Sequence, residues 1–403
     1  MTYLAFVRKE RKLLSFALSF TFYSSYGQTF FISLFVPFFL IAFDLSNAAF
    51  GSLYSVATLF GAIILPTLGQ LIDRISIKKY SLSVAGGLLF ASLLMAISWH
   101  VAIFFISLVL IRLTGQGLSS HTAQATMAKV YGSERGKALS VSAMGYPLGE
   151  GILPLIISVL LLHFHWQTTW LFISASIAFI FIPLVWFLIR NVHREKEEIN
   201  IRETTSAREN YRNVLRDYRT YLIIPAALMP AFWVTGLFLY QIAAAESLGW
   251  STTLIASAFV AFAVARIVFG LIAGPVIDRF TAVNVFPFYL FPMIIGFSAV
   301  YFFTGSWTAF AYLGLVGVTM GLGSTMKSAL LAETYGSHII GTVQSLFTTF
   351  MVLSTAASPI LVGWMLDSTF TMKSVFLVAI VTTFISVLLS FFVYPALDRN
   401  RKE

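Results

Sequence analysis

The amino-acid sequence predicts an all-α integral membrane protein with twelve transmembrane helices, arranged as two parallel six-helix repeats. Three observations support this fold class: the composition, a series of long apolar stretches and an internal repeat. Of the 403 residues 58% are hydrophobic and 11% are charged, whereas about a quarter of a typical soluble domain is charged. The apolar side chains, which include 40 Phe, are too many for water-soluble cores. The sequence therefore predicts lipid as the main solvent.

Twelve stretches are long enough to cross a hydrocarbon core of about 30 Å, which takes about 20 apolar residues in a helix. The first is too long for a secretory signal peptide and has no small-residue cleavage site nearby, so we expect it to remain as helix 1. The predicted helices cover residues 14–41, 48–71, 81–99, 101–127, 139–163, 168–190, 220–243, 252–275, 285–303, 308–330, 340–366 and 373–394.

The Lys and Arg content of the loops predicts the orientation of these helices. If the N-terminus is cytoplasmic, Lys373 is the single basic residue on the outer face, and Arg112 and Arg266 lie inside helices. Every other Lys and Arg then faces the cytoplasm. The net charge of +9 is thus explained by topology, and no nucleic-acid partner is needed. We expect a monomeric, multi-pass protein of the bacterial cytoplasmic (inner) membrane with both termini inside.

The basic segment 191–219 predicts a cytoplasmic linker between an N-terminal half, residues 1–190, and a C-terminal half, residues 220–403. An internal repeat supports this division. The segment from Gly69 to Arg74, after helix 2, recurs 205 residues later as Gly274 to Arg279, after helix 8. A second match has an offset of 204 residues and comprises Gly117, Leu118, Ser120, Ala125, Ala128, Tyr131, Gly132 and Ser133. Parallel six-helix repeats allow a site at the membrane midplane to alternate between the two sides.

Three sequence motifs resemble those of the major facilitator superfamily. The pattern Gly69-x-x-x-Asp73-Arg74-x-x-x-Lys78-Lys79 is similar to its signature loop between helices 2 and 3, with Ser76 where a glycine is common. Arg112-x-x-Gly115-Gln116-Gly117 resembles its helix-4 motif. The segments 135–139 and 145–149 look like the branch that contains monocarboxylate and oxalate/formate carriers. The resemblance implies secondary transport through a cavity lined by helices 1, 4, 7 and 10.

Three ionisable residues are expected deep in the membrane, where a charge is costly and is a candidate for function. Arg112 lies near the middle of helix 4, Arg266 slightly past the middle of helix 8, and Glu150 near the middle of helix 5. Two arginines against one acid leave a positive excess. This excess predicts a small organic anion, such as a carboxylate bound by guanidinium. Alternatively, Arg112 forms a structural ion pair with Glu150, or Glu150 carries a coupling proton.

Helices 1 and 7 also carry polar and aromatic side chains that could orient a substrate. The further substrate-binding candidates are Tyr26, Gln28, Tyr240 and Gln241. His121 is a second candidate for proton coupling, although a packing role near the cytoplasmic end of helix 4 is the simpler interpretation. Lys327, near the inner end of helix 10, is interpreted as a lysine that snorkels to the membrane surface.

The duplicated Asp-Arg pair predicts a conformational gate. Each pair sits at a cytoplasmic helix end, where the acid can cap the N-terminus of a neighbouring helix and the arginine can meet acids or lipid phosphate. Contacts that form in only one conformation would set the balance between inward- and outward-facing states. The predicted gate residues are Gly69, Asp73, Arg74, Asp278 and Arg279.

These features favour a secondary active transporter of a small organic anion, coupled to protons or to counter-exchange, with the lipid bilayer as its environment. A superfamily exporter of neutral or cationic compounds is the alternative, supported by the glycine-rich stretch 145–151. A non-transporting membrane receptor is a third possibility. The sequence has no cysteine, no phosphate-binding loop and no His-Glu-x-x-His motif, so we expect no enzyme activity, no cofactor and no metal.

Overall fold

The computed structural model describes residues 3–131, 134–189, 207–336 and 339–393. Within these ranges all regular structure is helical and no strand occurs. The chain divides into two compact units, Met1–Glu197 and Glu198–Glu403, and this boundary falls inside the segment predicted as the linker. Most of that linker, residues 191–206, lies outside the described residues, as do the ends of predicted helices 6 and 12 and the repeat positions 132, 133 and 337.

The first unit contains six helical spans. Its first span, α1, consists of two arms that are bent by 48°. The spans are α1 (Arg11–Gly27 and Thr29–Ala42), α2 (Asn47–Arg74), α3 (Ile77–Ala96), α4 (Val101–Val130), α5 (Gly136–His163) and α6 (Trp166–Ile189).

The second unit begins, in its described part, with a surface helix, Ala207–Arg216. Six long helices follow: α7 (Tyr218–Leu239), α8 (Thr252–Phe280), α9 (Ala282–Phe302), α10 (Trp307–Tyr335), α11 (Ile340–Asp367) and α12 (Met372–Ser390). In the described residues, eleven helices are long and apolar enough to cross a membrane, or twelve when the two arms of α1 count as one span. The predicted twelve-helix membrane fold is therefore confirmed.

Several spans begin at side chains that cap the helix, as the sequence pattern of a small polar residue before an apolar stretch predicts. The Ser46 hydroxyl accepts a hydrogen bond from the Ala49 amide at 3.2 Å, and the Ser251 hydroxyl accepts one from Leu254 at 3.1 Å. Asp217 caps α7 by accepting from the Arg219 amide at 2.9 Å. Local polar residues thus fix where the apolar helices start.

Helix 1, predicted over residues 14–41, corresponds to α1, which is interrupted at Gln28. The backbone of Gln28 is extended (φ −81°, ψ 155°), and the amides of Phe31 and Ile32 both bond to the Gln28 carbonyl. Phe31 would bond to Gly27 in an unbroken helix, so the break removes the helical partner of the Gly27 carbonyl. Apolar side chains occur on both sides of Gln28, which is why the sequence was interpreted as one long stretch.

A close approach between α1 and α4 accompanies this break. A Cβ atom built at Gly115 would lie 2.7 Å from the Gly27 nitrogen and 2.8 Å from its Cα. A Cβ atom at Gly27 would lie 2.5 Å from the Ile111 carbonyl oxygen. Only two glycines allow the backbones to meet at this distance. On the α4 side, residues Arg112–Ser119 form a π-helical segment, whereas α10 is α-helical throughout.

Each unit has its own buried core. In the first unit, aromatic rings join α1 to α4 and α6: the Phe39 ring centroid lies 4.8 Å from that of Phe104 and 5.2 Å from that of Trp166. In the second unit, the fully buried Tyr289 of α9 donates a hydrogen bond to the Ala226 carbonyl of α7 at 2.6 Å. Much of the Phe content is thus used in helix packing inside the units.

We expect Gly115→Ala to lower the thermal stability of the detergent-purified protein, because its methyl group would force α1 and α4 apart. Overpacking of this kind costs about 1–3 kcal/mol. Gly86→Ala in α3 is the matched control, since a Cβ atom there has no neighbour within 4 Å and alanine favours the helix by about 1 kcal/mol. Melting temperatures measure both effects. Equal melting temperatures for the two variants would contradict the close approach.

Candidate functional site

Arg112 is the most buried of the predicted membrane-depth cations, with 4% of its surface exposed. From α4 it donates a hydrogen bond through a terminal nitrogen to the Gly27 carbonyl at 2.8 Å, and through Nε to the Thr58 hydroxyl of α2 at 3.1 Å. Its guanidinium carbon also lies 4.7 Å from the centroid of the Tyr54 ring. One side chain therefore connects α4 to α2 and to the break in α1.

The surroundings explain why arginine suits this position. A buried carbonyl without a hydrogen-bond donor lowers stability by about 1–3 kcal/mol. A charged donor such as arginine makes a stronger hydrogen bond than a neutral donor does. The Thr58 hydroxyl donates to the Tyr54 carbonyl at 2.8 Å and can still accept from Arg112. The Tyr54 hydroxyl in turn donates to Thr29 at 2.8 Å, just beyond the break. A polar network therefore spans the interrupted part of α1.

Arg112 does not pair with Glu150. Glu150 is buried in α5, with 8% of its surface exposed. Among the described residues, however, the guanidinium contacts are the Thr58 hydroxyl, the Gly27 carbonyl and the Tyr54 ring, and none is with an acid. The alternative of a structural Arg112–Glu150 ion pair is therefore not realised in this structure. The positive charge of Arg112 has only neutral protein partners in the described part of the chain.

Arg266 occupies a different environment in α8. Its side chain is half-buried, with the guanidinium carbon 6.0 Å from the Phe262 ring centroid. Its backbone lies at the crossing of α8 and α10, since a Cβ atom built at Gly321 would be 2.7 Å from the Arg266 carbonyl oxygen. Arg266 is thus less enclosed than Arg112.

Of the four polar candidates, Tyr26 and Gln28 lie at the break in α1, and Tyr240 and Gln241 lie just after the end of α7. The Tyr26 hydroxyl is 3.0 Å from the Ser176 hydroxyl of α6, and Tyr240 donates to the Pro359 carbonyl of α11 at 3.2 Å. Both tyrosine hydroxyls therefore join neighbouring helices. Gln28 is half-buried at the break in α1, and the buried Gln241 opens a short helix after α7.

His121 packs against the C-terminal part of α2. A Cβ atom built at Gly69 would lie 3.4 Å from both Cε1 and Nε2 of the imidazole ring, and the ring Nδ1 is 3.4 Å from the Tyr80 hydroxyl of α3. Gly69 thus provides space for the ring where α2, α3 and α4 meet. This geometry favours the packing interpretation of His121.

Asp73 does not cap a helix, contrary to the sequence-based expectation. It forms an ion pair with Lys129 at the end of α4, and the Lys129 ammonium also donates to the Ile72 carbonyl at 3.1 Å. The hydroxyl of Ser76 caps α3 instead, by accepting from the Lys79 amide at 3.3 Å. Because Asp73 is 61% exposed, this pair contributes only about 0–1 kcal/mol to stability. A contact this weak can break during a conformational change.

Asp278 does not cap a helix either. It lies exposed with Arg279 in the last turn of α8. The carboxylate that binds the start of α9 belongs to Glu333 of α10, which accepts from the Ala282 and Val283 amides at 2.9 and 3.0 Å. The favourable position for an acid at a helix N-terminus is thus occupied by a residue from another helix.

Lys129 and Glu333 were not identified as candidate site residues from the sequence, although the repeat contained the signal. At its offset of 204 residues, Lys129 aligns with Glu333. Lys129 fastens the end of α4 to the end of α2, and Glu333, with the opposite charge, fastens the end of α10 to the start of α9. The aligned Tyr131 and Tyr335 contact Glu10 and Thr220, at 2.8 and 2.7 Å, near the start of the first span.

Lys327 does not extend toward the nearer end of α10. Its Cε lies 3.7 Å from a Cβ atom built at Gly323, so the side chain folds back by one turn toward the middle of the helix. It lines a cavity of about 340 Å³ between α7, α10 and α11. The interpretation of Lys327 as a snorkelling lysine is therefore wrong.

No group of three or more His, Asp or Glu side chains in the described residues could hold a metal ion. The arrangement instead combines two six-helix units, an interrupted first span and cations at membrane depth. These features define a polytopic helical membrane protein built on a duplicated unit.

The family assignment follows from a comparison with known sequences. The family model described as Major Facilitator Superfamily matches residues 16–242 and, a second time, residues 222–403. The chain therefore belongs to the Major Facilitator Superfamily.

Individual relatives match less of the chain. The multidrug resistance protein MdtG of Salmonella arizonae (strain ATCC BAA-731 / CDC346-86 / RSK2980) is 32% identical over 180 residues, which is 44% of each chain. The chain thus aligns with less than half the length of this curated relative.

Two solved structures share the fold over nearly the whole chain. A bacterial homologue of the human lysosomal transporter Spinster, in an inward-facing and occupied conformation, has a TM-score of 0.74 at 13% identity and covers 99% of this chain and 98% of its own. A D-xylose-proton symporter has a TM-score of 0.71 at 17% identity and covers 96% and 97%. At these identities the similarity extends to the fold alone.

We expect Arg112→Ala to destabilise the protein by about 1–3 kcal/mol, because it strands the Gly27 carbonyl. In double-mutant cycles on thermal stability, Arg112→Ala and Thr58→Val should couple because their side chains touch. Arg112→Ala and Glu150→Gln should be additive to within about 0.5 kcal/mol. If the coupling to Glu150 were the stronger of the two, the contacts of Arg112 described above would be wrong.

Proposed function

We propose that this protein is a secondary transporter that moves a small organic anion by alternating access, coupled to protons or to counter-exchange. Its membership of the superfamily supports secondary transport. The environment of Arg112 favours an anion as the substrate. Arg112 is a buried cation whose protein contacts in the described residues are all neutral.

The buried charge of Arg112 needs a compensating partner. A cation at membrane depth is expensive unless an opposite charge or water compensates it. Among the contacts described above, Arg112 uses Nε and one terminal nitrogen, and its other terminal nitrogen has no acceptor. A guanidinium in this state can still bind a carboxylate. An anionic substrate would supply the compensating charge.

Under this proposal the candidate residues divide into three groups. Arg112 and Arg266 attract the anion, with Tyr26, Gln28, Tyr240 and Gln241 as neutral polar groups near the break in α1 and the end of α7. Glu150 and His121 are the candidates for carrying a coupling proton. The gate comprises Gly69, Asp73, Arg74, Asp278 and Arg279, to which the contacts of Lys129 and Glu333 are added.

We further propose a bacterial inner-membrane location, cytoplasmic termini and a monomeric state. The loop charges support the orientation, and the bacterial relatives support the membrane. Among anion carriers, the segments 135–139 and 145–149 favour a monocarboxylate-type substrate. The protein acts on its substrate by moving it, without chemical change.

Export of drug-like compounds is the second candidate function. It is favoured by the similarity to MdtG, which is named a multidrug resistance protein. That similarity covers 44% of each chain, so it supports export without specifying the charge of the compound. An exporter of organic anions would satisfy both observations.

Uptake into proteoliposomes tests the proposed function. Labelled monocarboxylates, dicarboxylates, uncharged amides and organic cations should be compared with and without a pH gradient. We expect protein-dependent movement of at least one class of organic anion, accelerated by a proton gradient or by unlabelled anion on the opposite side. Empty liposomes and Gly86→Ala protein serve as controls. Movement of cations or neutral compounds without any anion would contradict the proposal and support the second candidate.

A further inference from the structure

The cavity between α7, α10 and α11 lies entirely within the second unit. Its walls differ in chemistry. Ser324, Lys327 and Ser328 of α10 face it together with Gln344 and Thr348 of α11. The remaining wall is apolar and includes Ile223 and Leu228 of α7 and Phe347 and Met351 of α11. No acidic side chain is among these described lining residues. The cavity is therefore cationic and polar on one side and apolar on the other.

The direction of the Lys327 side chain brings its charge to this cavity. Lys327 is eight residues before the end of α10 at Tyr335, or about 12 Å along the helix axis. Its stem turns away from that end and passes over Gly323, where the absence of a side chain leaves room beside the Tyr289 ring. This follows the usual tilt of helical side chains toward the helix N-terminus. The ammonium group therefore stays at membrane depth.

Within the described residues, Lys327 has neither a hydrogen bond nor an ion pair, although three donors of an ammonium group normally find acceptors. The neighbouring Ser328 hydroxyl, Gln344 amide and Thr348 hydroxyl likewise have no hydrogen-bond partner among the described residues. The Ser324 hydroxyl donates to the Gly321 carbonyl at 2.6 Å. Ser324, Ser328, Gln344 and Thr348 are exposed and line the cavity, so their polar groups and the Lys327 ammonium face one space. An anionic oxygen in this space would pair with the ammonium charge and accept from the hydroxyl and amide groups together.

We propose that this cavity binds an amphiphilic organic monoanion, with its anionic oxygens at Lys327, Gln344 and Thr348 and its apolar body against Leu228, Phe347 and Met351. The inference rests on the proposed function and names the substrate class: one cation matches one negative charge, and the apolar wall matches an alkyl or aryl group. The volume of about 340 Å³ is at the small end of ligand pockets. A small carboxylate with a short hydrocarbon chain meets both requirements.

Binding of labelled octanoate, hexanoate and butyrate to the detergent-purified full-length protein tests this site. Each methylene buried against the apolar wall should raise the affinity by up to about fourfold, so octanoate should bind most tightly of the three. Lys327→Gln should weaken octanoate binding by about tenfold or more, whereas Lys327→Arg should retain most of it. Because the lysine has no protein partner in the described residues, Lys327→Gln should melt no lower than wild type without ligand. Ligand-induced stabilisation should be lost in the same variant.

Lys373→Gln is the charge-matched control, because Lys373 lies at the start of α12 and does not line the cavity. It should bind octanoate as the wild type does. Wild-type affinity in Lys327→Gln, or failure of the wild-type protein to bind any of the three acids, would overturn the proposed site. If octanoate binding depends on Lys327 but no organic anion crosses proteoliposomes, the proposed function fails and the binding site stands. If the protein transports organic anions and Lys327→Gln does not affect this transport, the proposed function stands and the proposed binding site fails.

Discussion

The hydrogen bond from Arg112 to the Gly27 carbonyl is the interaction on which the first unit depends. Inside a membrane no water is available for a carbonyl released by a helix break, so a protein donor must replace the missing helical bond. Arg112 supplies that donor at 2.8 Å. The contact requires α1 and α4 to approach through Gly27 and Gly115, and it coincides with the π-helical segment of α4. The same side chain therefore supports an interrupted helix and leaves a positive charge that the protein does not neutralise in its described residues.

The two units show how a duplicated fold can keep a geometry and change its chemistry. In both, a charged side chain near the end of the fourth helix binds the end of a neighbouring helix. In the first unit the contact is the exposed Lys129–Asp73 ion pair, and in the second it is the Glu333 carboxylate on two backbone amides. A surface ion pair is weak and is screened by salt. A carboxylate at a helix N-terminus also benefits from the helix dipole. The two units therefore present different contacts at equivalent positions.

The sequence was sufficient to predict the helices but not the directions in which the side chains point. Long apolar stretches predict membrane-spanning helices because a span needs a minimum length. The internal repeat aligned Lys129 with Glu333. The break at Gln28 escaped detection because apolar residues lie on both sides of it, and the close approach of Gly27 to Gly115 that accompanies it is a tertiary contact. Asp73 was expected to cap a helix, but Ser76 is nearer to the start of α3 and occupies that role. Lys327 was misread because the space above Gly323 depends on where Tyr289 packs. The position of each charge along a helix could thus be predicted from the sequence, while its partner could not.

The central claim is that uncompensated positive charge at membrane depth selects an anionic ligand. Thermal unfolding of the wild-type protein with 4-phenylbutyrate and with its uncharged amide tests it most directly, because the two compounds have nearly the same shape and differ in charge. Ligand binding to the folded state adds about 2.7 kcal/mol at a concentration of 100 times Kd. The account predicts that the carboxylate raises the melting temperature and the amide does so much less. Equal stabilisation by both compounds, or stabilisation by the amide alone, would contradict it.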